Sequence, residues 1–118
     1  MGRKLSAREH WIMYRSMPKG KIIVDTGAKK ALVNNHSSLL PKGIIDVTGN
    51  FLISQIVDIV DENDNLLARG IVNYSSDEIK LIKGLNTSEI ENILNYKDYD
   101  EIVHANNLVL VEGEKNND

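Results

Sequence analysis

The stretch Ser38-Leu39-Leu40-Pro41-Lys42-Gly43-Ile44-Ile45-Asp46-Val47-Thr48-Gly49-Asn50-Phe51 leaves the chain few folds to choose from. Pro41 fixes its own φ and Gly43 tolerates φ > 0, so Leu40-Pro41-Lys42-Gly43 is expected to reverse the chain tightly. Ile44, Ile45 and Val47 are β-branched and suit a pleated, partly buried surface. Thr48-Gly49-Asn50 stops that strand, and Phe51, the only Phe, restarts an apolar run. A polar helix lies before this stretch and a long hairpin after it, so it joins the two halves of the fold. It holds no acid/base pair, nucleophile or metal-ligand set, which points to a scaffold or a binding module.

The flanking segments fit a small mixed architecture. Ser6 and Glu9 make a capping box for a first helix that reaches Tyr14 and is ended by Pro18 and Gly20. Lys21-Ile22-Ile23-Val24 reads as a strand, and Asp25 or Thr26 caps a helix carrying Ala28, Ala31 and Leu32 at helical spacing. Lys29 and Lys30 fall on its outward face. Residues 55–60 and 66–74 read as paired strands around the turn Asp61-Glu62-Asn63-Asp64-Asn65. Two short helices follow. Ser75 and Glu78 cap one, which buries Ile79 and Ile82 and stops at Gly84; Asn86 with Glu89 starts the other, carrying Ile90, Ile93 and Leu94. Ile102-Val103 and Leu108-Val109-Leu110-Val111 supply a closing strand, and residues 113–118 are expected to be a disordered tail. The sum is a mainly β fold with short helices (α+β), a small barrel of mostly antiparallel strands.

At 118 residues the chain makes one domain, and with 42% hydrophobic content it can bury a core without staples. It has no Cys, which excludes disulfides, thiol chemistry and Cys-based zinc sites. No apolar run is long enough to span a membrane and no signal peptide opens the chain, so a cytoplasmic location is expected. Charge is uneven: residues 1–59 hold nine Lys/Arg against four Asp/Glu, and residues 60–118 hold five against thirteen. Such asymmetry suits either a basic face for nucleic acid or plain solvated surface.

Three motifs bear on chemistry. Asp25-Thr26-Gly27 matches the catalytic triplet of dimeric aspartic proteases, but helical spacing follows it where a protease needs a strand, so a helix cap is the favoured role. The turn at residues 61–65 hints at a calcium loop but has Leu66 and Val72 where that loop needs Gly and Glu. His10, His36 and His104 show no metal-ligand spacing. Lys29, Lys30 and Lys42 are expected to gather where the second helix meets the central turn, and Gly43 would let a sugar-phosphate approach closely.

From Ile23-Val24-Asp25-Thr26-Gly27-Ala28-Lys29-Lys30-Ala31-Leu32 and Ser38-Leu39-Leu40-Pro41-Lys42-Gly43-Ile44 the chain resembles the carboxy-terminal PUA domain of bacterial glutamate 5-kinases. Ala68-Arg69-Gly70-Ile71-Val72-Asn73-Tyr74-Ser75-Ser76 and Val103-His104-Ala105-Asn106-Asn107-Leu108-Val109-Leu110 continue the likeness, as do Ser88-Glu89-Ile90, Leu94 and Tyr96. The resemblance implies a PUA-like pseudobarrel over residues 18–112, joined by a linker helix, residues 1–17, to an amino-acid-kinase domain. That domain would use ATP and Mg to make glutamyl 5-phosphate, the first step to proline, within a homo-oligomer. The resemblance places no catalytic residue in this chain. It implies a regulatory, assembly or RNA-binding role, with Lys29, Lys30, Ser38, Lys42 and Gly43 as the RNA groove; the alternative is a free-standing RNA-binding module. Trp11, Ile12 and Tyr14 are candidates for docking to the kinase domain. Many PUA domains carry Gly-Asp after the central aromatic, where this chain has Ser54-Gln55, a change expected to alter the tight turn there.

Overall fold

The computed structural model describes residues 5–111, so the proposed tail and the first residues of the linker helix lie outside the described residues. Five strands, β1 (Gly20–Val24), β2 (Ile44–Gly49), β3 (Ile56–Val60), β4 (Leu66–Ile71) and β5 (Leu108–Leu110), form one sheet in the order β2-β1-β3-β4-β5. Every neighbouring pair is antiparallel except β1 and β3, which run parallel and are joined through the central stretch. Four α-helices decorate it: α1 (Ala7–His10), α2 (Thr26–Asn35), α3 (Ser76–Ile82) and α4 (Ile90–Leu94). Both capping boxes form, Ser6 with Glu9 and Ser75 with Glu78, each satisfying two free N–H groups at a helix start. Helix α1 continues as a π-helical segment, Trp11–Arg15.

Alternation along the strands sends side chains to both faces of the sheet. Val57, Ile59, Leu67 and Leu108 face a main core with Ile22, Leu32, Leu39, Tyr74, Ile79, Ile82, Ile90 and Ile102. Ile56 and Val109 face the other way, onto Ile12 and Met13 of the N-terminal segment. Fully burying such an aliphatic side chain is worth about 1.5–3 kcal/mol, so both covers contribute. Tyr74 is buried in the main core; its hydroxyl donates to the Tyr99 carbonyl at 2.5 Å and accepts the Tyr99 N–H at 3.1 Å.

Several local expectations are corrected. Residues 41–43 form a 3₁₀ turn, and Gly43 does not need a positive φ. Glycine is required there because a Cβ would lie 2.5 Å from the Ala28 Cβ, so the turn seats directly on α2. Ile102 and Val103 do not extend β5; they bond to Leu39, with Leu39 N–H donating to the Val103 carbonyl at 2.9 Å and Ile102 N–H to the Leu39 carbonyl at 2.8 Å. Asn86 opens a 3₁₀ turn without a side-chain cap, and Ile93 is exposed while Ile90 and Leu94 are buried. Helix α3 ends before Gly84, at a φ of 79°, as its glycine suggested. The Ser54-Gln55 turn closes: Ser54 takes a left-handed φ of 75°, and the Gln55 side chain accepts the Leu52 N–H at 2.9 Å.

Candidate functional site

The central turn and α2 enclose an apolar slot of about 290 Å³, walled by Ala28, Ala31, Leu32, Leu39 and Leu40. Its position follows from local chemistry. Asp25 caps α2, its Oδ1 accepting the Ala28 N–H at 2.8 Å, and the Asp25 N–H donates to the Gly43 carbonyl at 3.0 Å. The cap therefore fixes both helix and turn, and Asp25-Thr26-Gly27 opens a helix where the protease arrangement requires a strand. Ser38 lines the slot, and its Oγ accepts the Ala105 N–H at 2.7 Å, tying the wall to the loop before β5. Lys42 is exposed at the slot and has no ion-pair partner among the described residues.

Lys29 and Lys30 do not join Lys42. They line a separate depression with Thr26, Asp61, Glu62 and Asn63. Lys29 Nζ lies 3.0 Å from Asp61 Oδ2, so its charge is already neutralised. Asp61 is only 5% exposed and organises the β3–β4 loop: Oδ1 accepts the N–H groups of Asn63 and Asn65, each at 2.9 Å, and Oδ2 accepts Asn65 Nδ2 at 3.1 Å. Burial pushes its carboxyl up, but the Asn65 amide, Lys29, the Asn65 side chain and the Asn63 amide outweigh it and bring the pKa to about 2. The loop that hinted at calcium thus turns its first carboxylate inward onto its own amides. Lys21 likewise pairs with Asp64 at 3.0 Å. Two of the nine basic residues in the first half of the chain are thus paired with carboxylates of the β3–β4 loop.

The N-terminal segment forms a third feature. Ile12 is 0% exposed and belongs to the second core, which corrects its assignment as a docking residue. Trp11 and Tyr14 are 50% and 64% exposed. Ala7, His10, Trp11 and Arg15 line a depression of about 450 Å³, with the Tyr14 ring 4.9 Å from that of His10. The segment is clamped from beneath: Arg69 Nη1 donates to the Met13 carbonyl at 2.5 Å, and Arg69 Nε to Asp58 Oδ1 at 2.7 Å. Arg8 bonds to Asn107, and Ser16 Oγ donates to the Ile12 carbonyl at 2.7 Å.

Sequence reasoning missed both Asp61 as an anchor and the Arg69–Asp58 clamp. An unbroken hairpin from the Val60–Leu66 pair would set Asp58 opposite Ala68; an irregularity between Ile59 and Val60 shifts the register to Arg69. The remaining histidines serve local structure. His36 Nε2 lies 3.0 Å from the Leu108 carbonyl oxygen, and His104 Nδ1 accepts the Asn106 N–H at 3.0 Å. Among the described residues no group of three His, Asp or Glu is placed to hold a metal, and no helix is long and apolar enough to cross a membrane.

Set beside known proteins, residues 20–94 match the sequence profile of the PUA domain. The chain is 43% identical over 116 residues to the glutamate 5-kinase of Thermoanaerobacter sp. (strain X514), a likeness covering 98% of this chain and 31% of that protein. It thus spans about a third of the length of the curated relatives it matches. Among solved structures, a PUA domain of Aeropyrum pernix K1, in a tartrate complex, superposes with a TM-score of 0.54 at 20% identity, over 73% of this chain and 41% of that one. A chain of an archaeal box H/ACA sRNP complex gives a TM-score of 0.51 at 16% identity, over 87% of this chain and 25% of that one. The mixed sheet with its short helices is the PUA fold, as the sequence resemblance implied.

Proposed function

The chain belongs to the PUA domain family, and on that footing we propose that it is the non-catalytic carboxy-terminal PUA domain of a glutamate 5-kinase, acting in regulation or assembly of that enzyme. The observation that carries this reading is the reach of the likeness. It takes in all but two residues of the chain, including the segment before Gly20 that precedes the PUA profile. The barrel is common to PUA domains, and the likeness to the kinases runs on through that segment. In this reading the phosphorylation of L-glutamate, with its ATP and Mg, belongs to an amino-acid-kinase domain that precedes this one. The enzyme is then cytoplasmic and homo-oligomeric, and this chain binds neither substrate of the reaction.

The test is the intact mass of the native gene product, followed by glutamate 5-kinase assays with and without residues 20–111. A product well above 13.2 kDa, whose kinase response to effectors or whose assembly changes on deletion, agrees with the proposal. A product of this chain's own mass refutes it.

One observation favours a second reading, a free-standing RNA-binding module: Lys42, without an ion-pair partner among the described residues, lies beside Gly43 at the slot. Binding of structured RNA would then weaken steeply with salt and fall on Lys42→Ala. Lys29→Ala would matter much less, because Asp61 already holds that ammonium. Absence of salt-sensitive RNA binding removes this reading.

A further inference from the structure

The N-terminal segment is presented in an unusual way for a linker. Its inner side is fixed by Ile12 and Met13 in the second core and by Arg69, which donates to the Met13 carbonyl at 2.5 Å while paired with Asp58. Its outer side exposes half of Trp11, most of Tyr14 and, just beyond, Met17 at 77%. The depression beside Trp11, lined by Ala7, His10, Trp11 and Arg15, combines a concavity with the residue types that dominate protein–protein hot spots. Holding large apolar side chains in water on a rigid mount has no benefit to the barrel, whose cores are closed without them.

We propose that this surface is the seat of the rest of the same polypeptide, the kinase domain of the preceding section, and that the segment is a rigid docking plate. This rests on that reading. Three observations select that occupant over a second copy or an unrelated partner. The plate lies outside the residues matched by the PUA profile yet inside those shared with the kinases. Those kinases carry more than two-thirds of their length outside the shared region. The plate also bears Arg15 beside its aromatics, Arg8 being bonded to Asn107, so an apolar facing surface with a carboxylate at its edge would complement it. Arg69 acts here as a positioning residue: it sets the plate's attitude through the Met13 carbonyl and touches nothing on the outer side.

Hydroxyl-radical footprinting read by mass spectrometry tests the seat, comparing the native full-length product with the 118-residue chain. Oxidation of Trp11, Tyr14 and Met17 is expected to fall several-fold in the long protein, while the half-exposed Tyr96 and Tyr99 stay unchanged. Trp11→Ala combined with Tyr14→Ala should restore oxidation of Met17 in the long protein and leave the melting temperature of the 118-residue chain where it was. Equal oxidation in both proteins overturns the proposal. So does protection that rises with concentration in the short chain, which would assign the face to a second copy, and so does a loss of stability in the short double variant. A long product with this protection but no glutamate 5-kinase activity would keep the seat and sink the functional reading. Full activity without protection would do the reverse.

Discussion

One face of the sheet is closed by side chains from all five strands and from α2, α3 and α4, while the other is closed by Ile12, Met13, Ile56 and Val109 with the Arg69–Asp58 ion pair beside them. The first cover is broad and drawn from distant parts of the chain, so removing it means unfolding the domain. The second comes from one short segment, which is expected to leave without taking the sheet with it. That contrast separates two jobs. The main core makes the fold, and the matched PUA profile spans most of the elements that build it, from β1 to α4, with β5 beyond its end. The second cover fixes a segment shared with the kinases onto that fold.

The sharpest way to break the contrast is a matched pair of truncations. Leu67→Ala in the main core should cost about 3–4 kcal/mol of global stability, the usual range for a cavity in a tightly packed site. Ile12→Ala is as deeply buried a change, but its cost is capped at the energy that docks the segment, about 2 kcal/mol, because detachment relieves the cavity. Hydrogen exchange should then show residues 5–17 opening while amides of β3 and β4 keep their protection. If both variants melt in one cooperative step with equal losses, the two faces are a single unit.

The clamp comes next in size. Arg69→Met leaves Asp58 partly buried without its partner and the Met13 carbonyl without its donor, and should cost about 2 kcal/mol. Adding Asp58→Leu removes the stranded charge and should recover much of that loss in denaturant titrations. Strictly additive losses in the double variant would show that the pair does not act as one.

A smaller, pH-dependent effect belongs to the main face. Asp61 ties the β3–β4 loop to α2 through Lys29, and its pKa is lowered from 3.8 to about 2. A carboxyl with a depressed folded-state pKa stabilises the fold above its ordinary pKa and loses that contribution as pH falls toward the folded value. Asp61→Asn should therefore cost about 1–2 kcal/mol at neutral pH, and the gap to the parent chain should close between about pH 4 and pH 2. A gap that persists at pH 2 would assign the cost to packing instead of charge.

What could be read in advance follows the range of the forces involved. Capping boxes, a cap at Asp25 or Thr26 and the strand at residues 21–24 are written in neighbouring residues; the boxes and the strand form, and of the two cap candidates it is Asp25 that serves. The role of Gly43 was not, because what demands a glycine is the Ala28 Cβ on another element, not the local φ. The three lysines failed to gather for a similar reason. Lys29 and Lys30 are neighbours in sequence, but the hairpin loop arriving from residue 61 gives their side of the helix an acidic wall, and Lys42 is left alone at the slot. Ile12 groups with Trp11 and Tyr14 on composition, yet the sheet surface that buries it is built 44 to 97 residues later, by Ile56, Ile71 and Val109.

The smallest predicted effect sits between the two covers. Ser54 holds a left-handed φ of 75° in the turn before β3, where glycine is free of the Cβ penalty. Its N–H donates to the Val72 carbonyl at 2.9 Å, and the turn is otherwise closed by Gln55, so the backbone is fixed whichever residue stands there. Ser54→Gly should raise stability by about 0.5–1 kcal/mol, the relieved strain less the extra entropy glycine has in the unfolded chain. Because this turn supports the sheet and not the segment on its back, the gain should add in full to Leu67→Ala and leave the local opening of residues 5–17 in Ile12→Ala untouched. Suppression of that opening by Ser54→Gly would mean that the second cover is held by the stiffness of the sheet itself, and that the clamp at Arg69 is secondary.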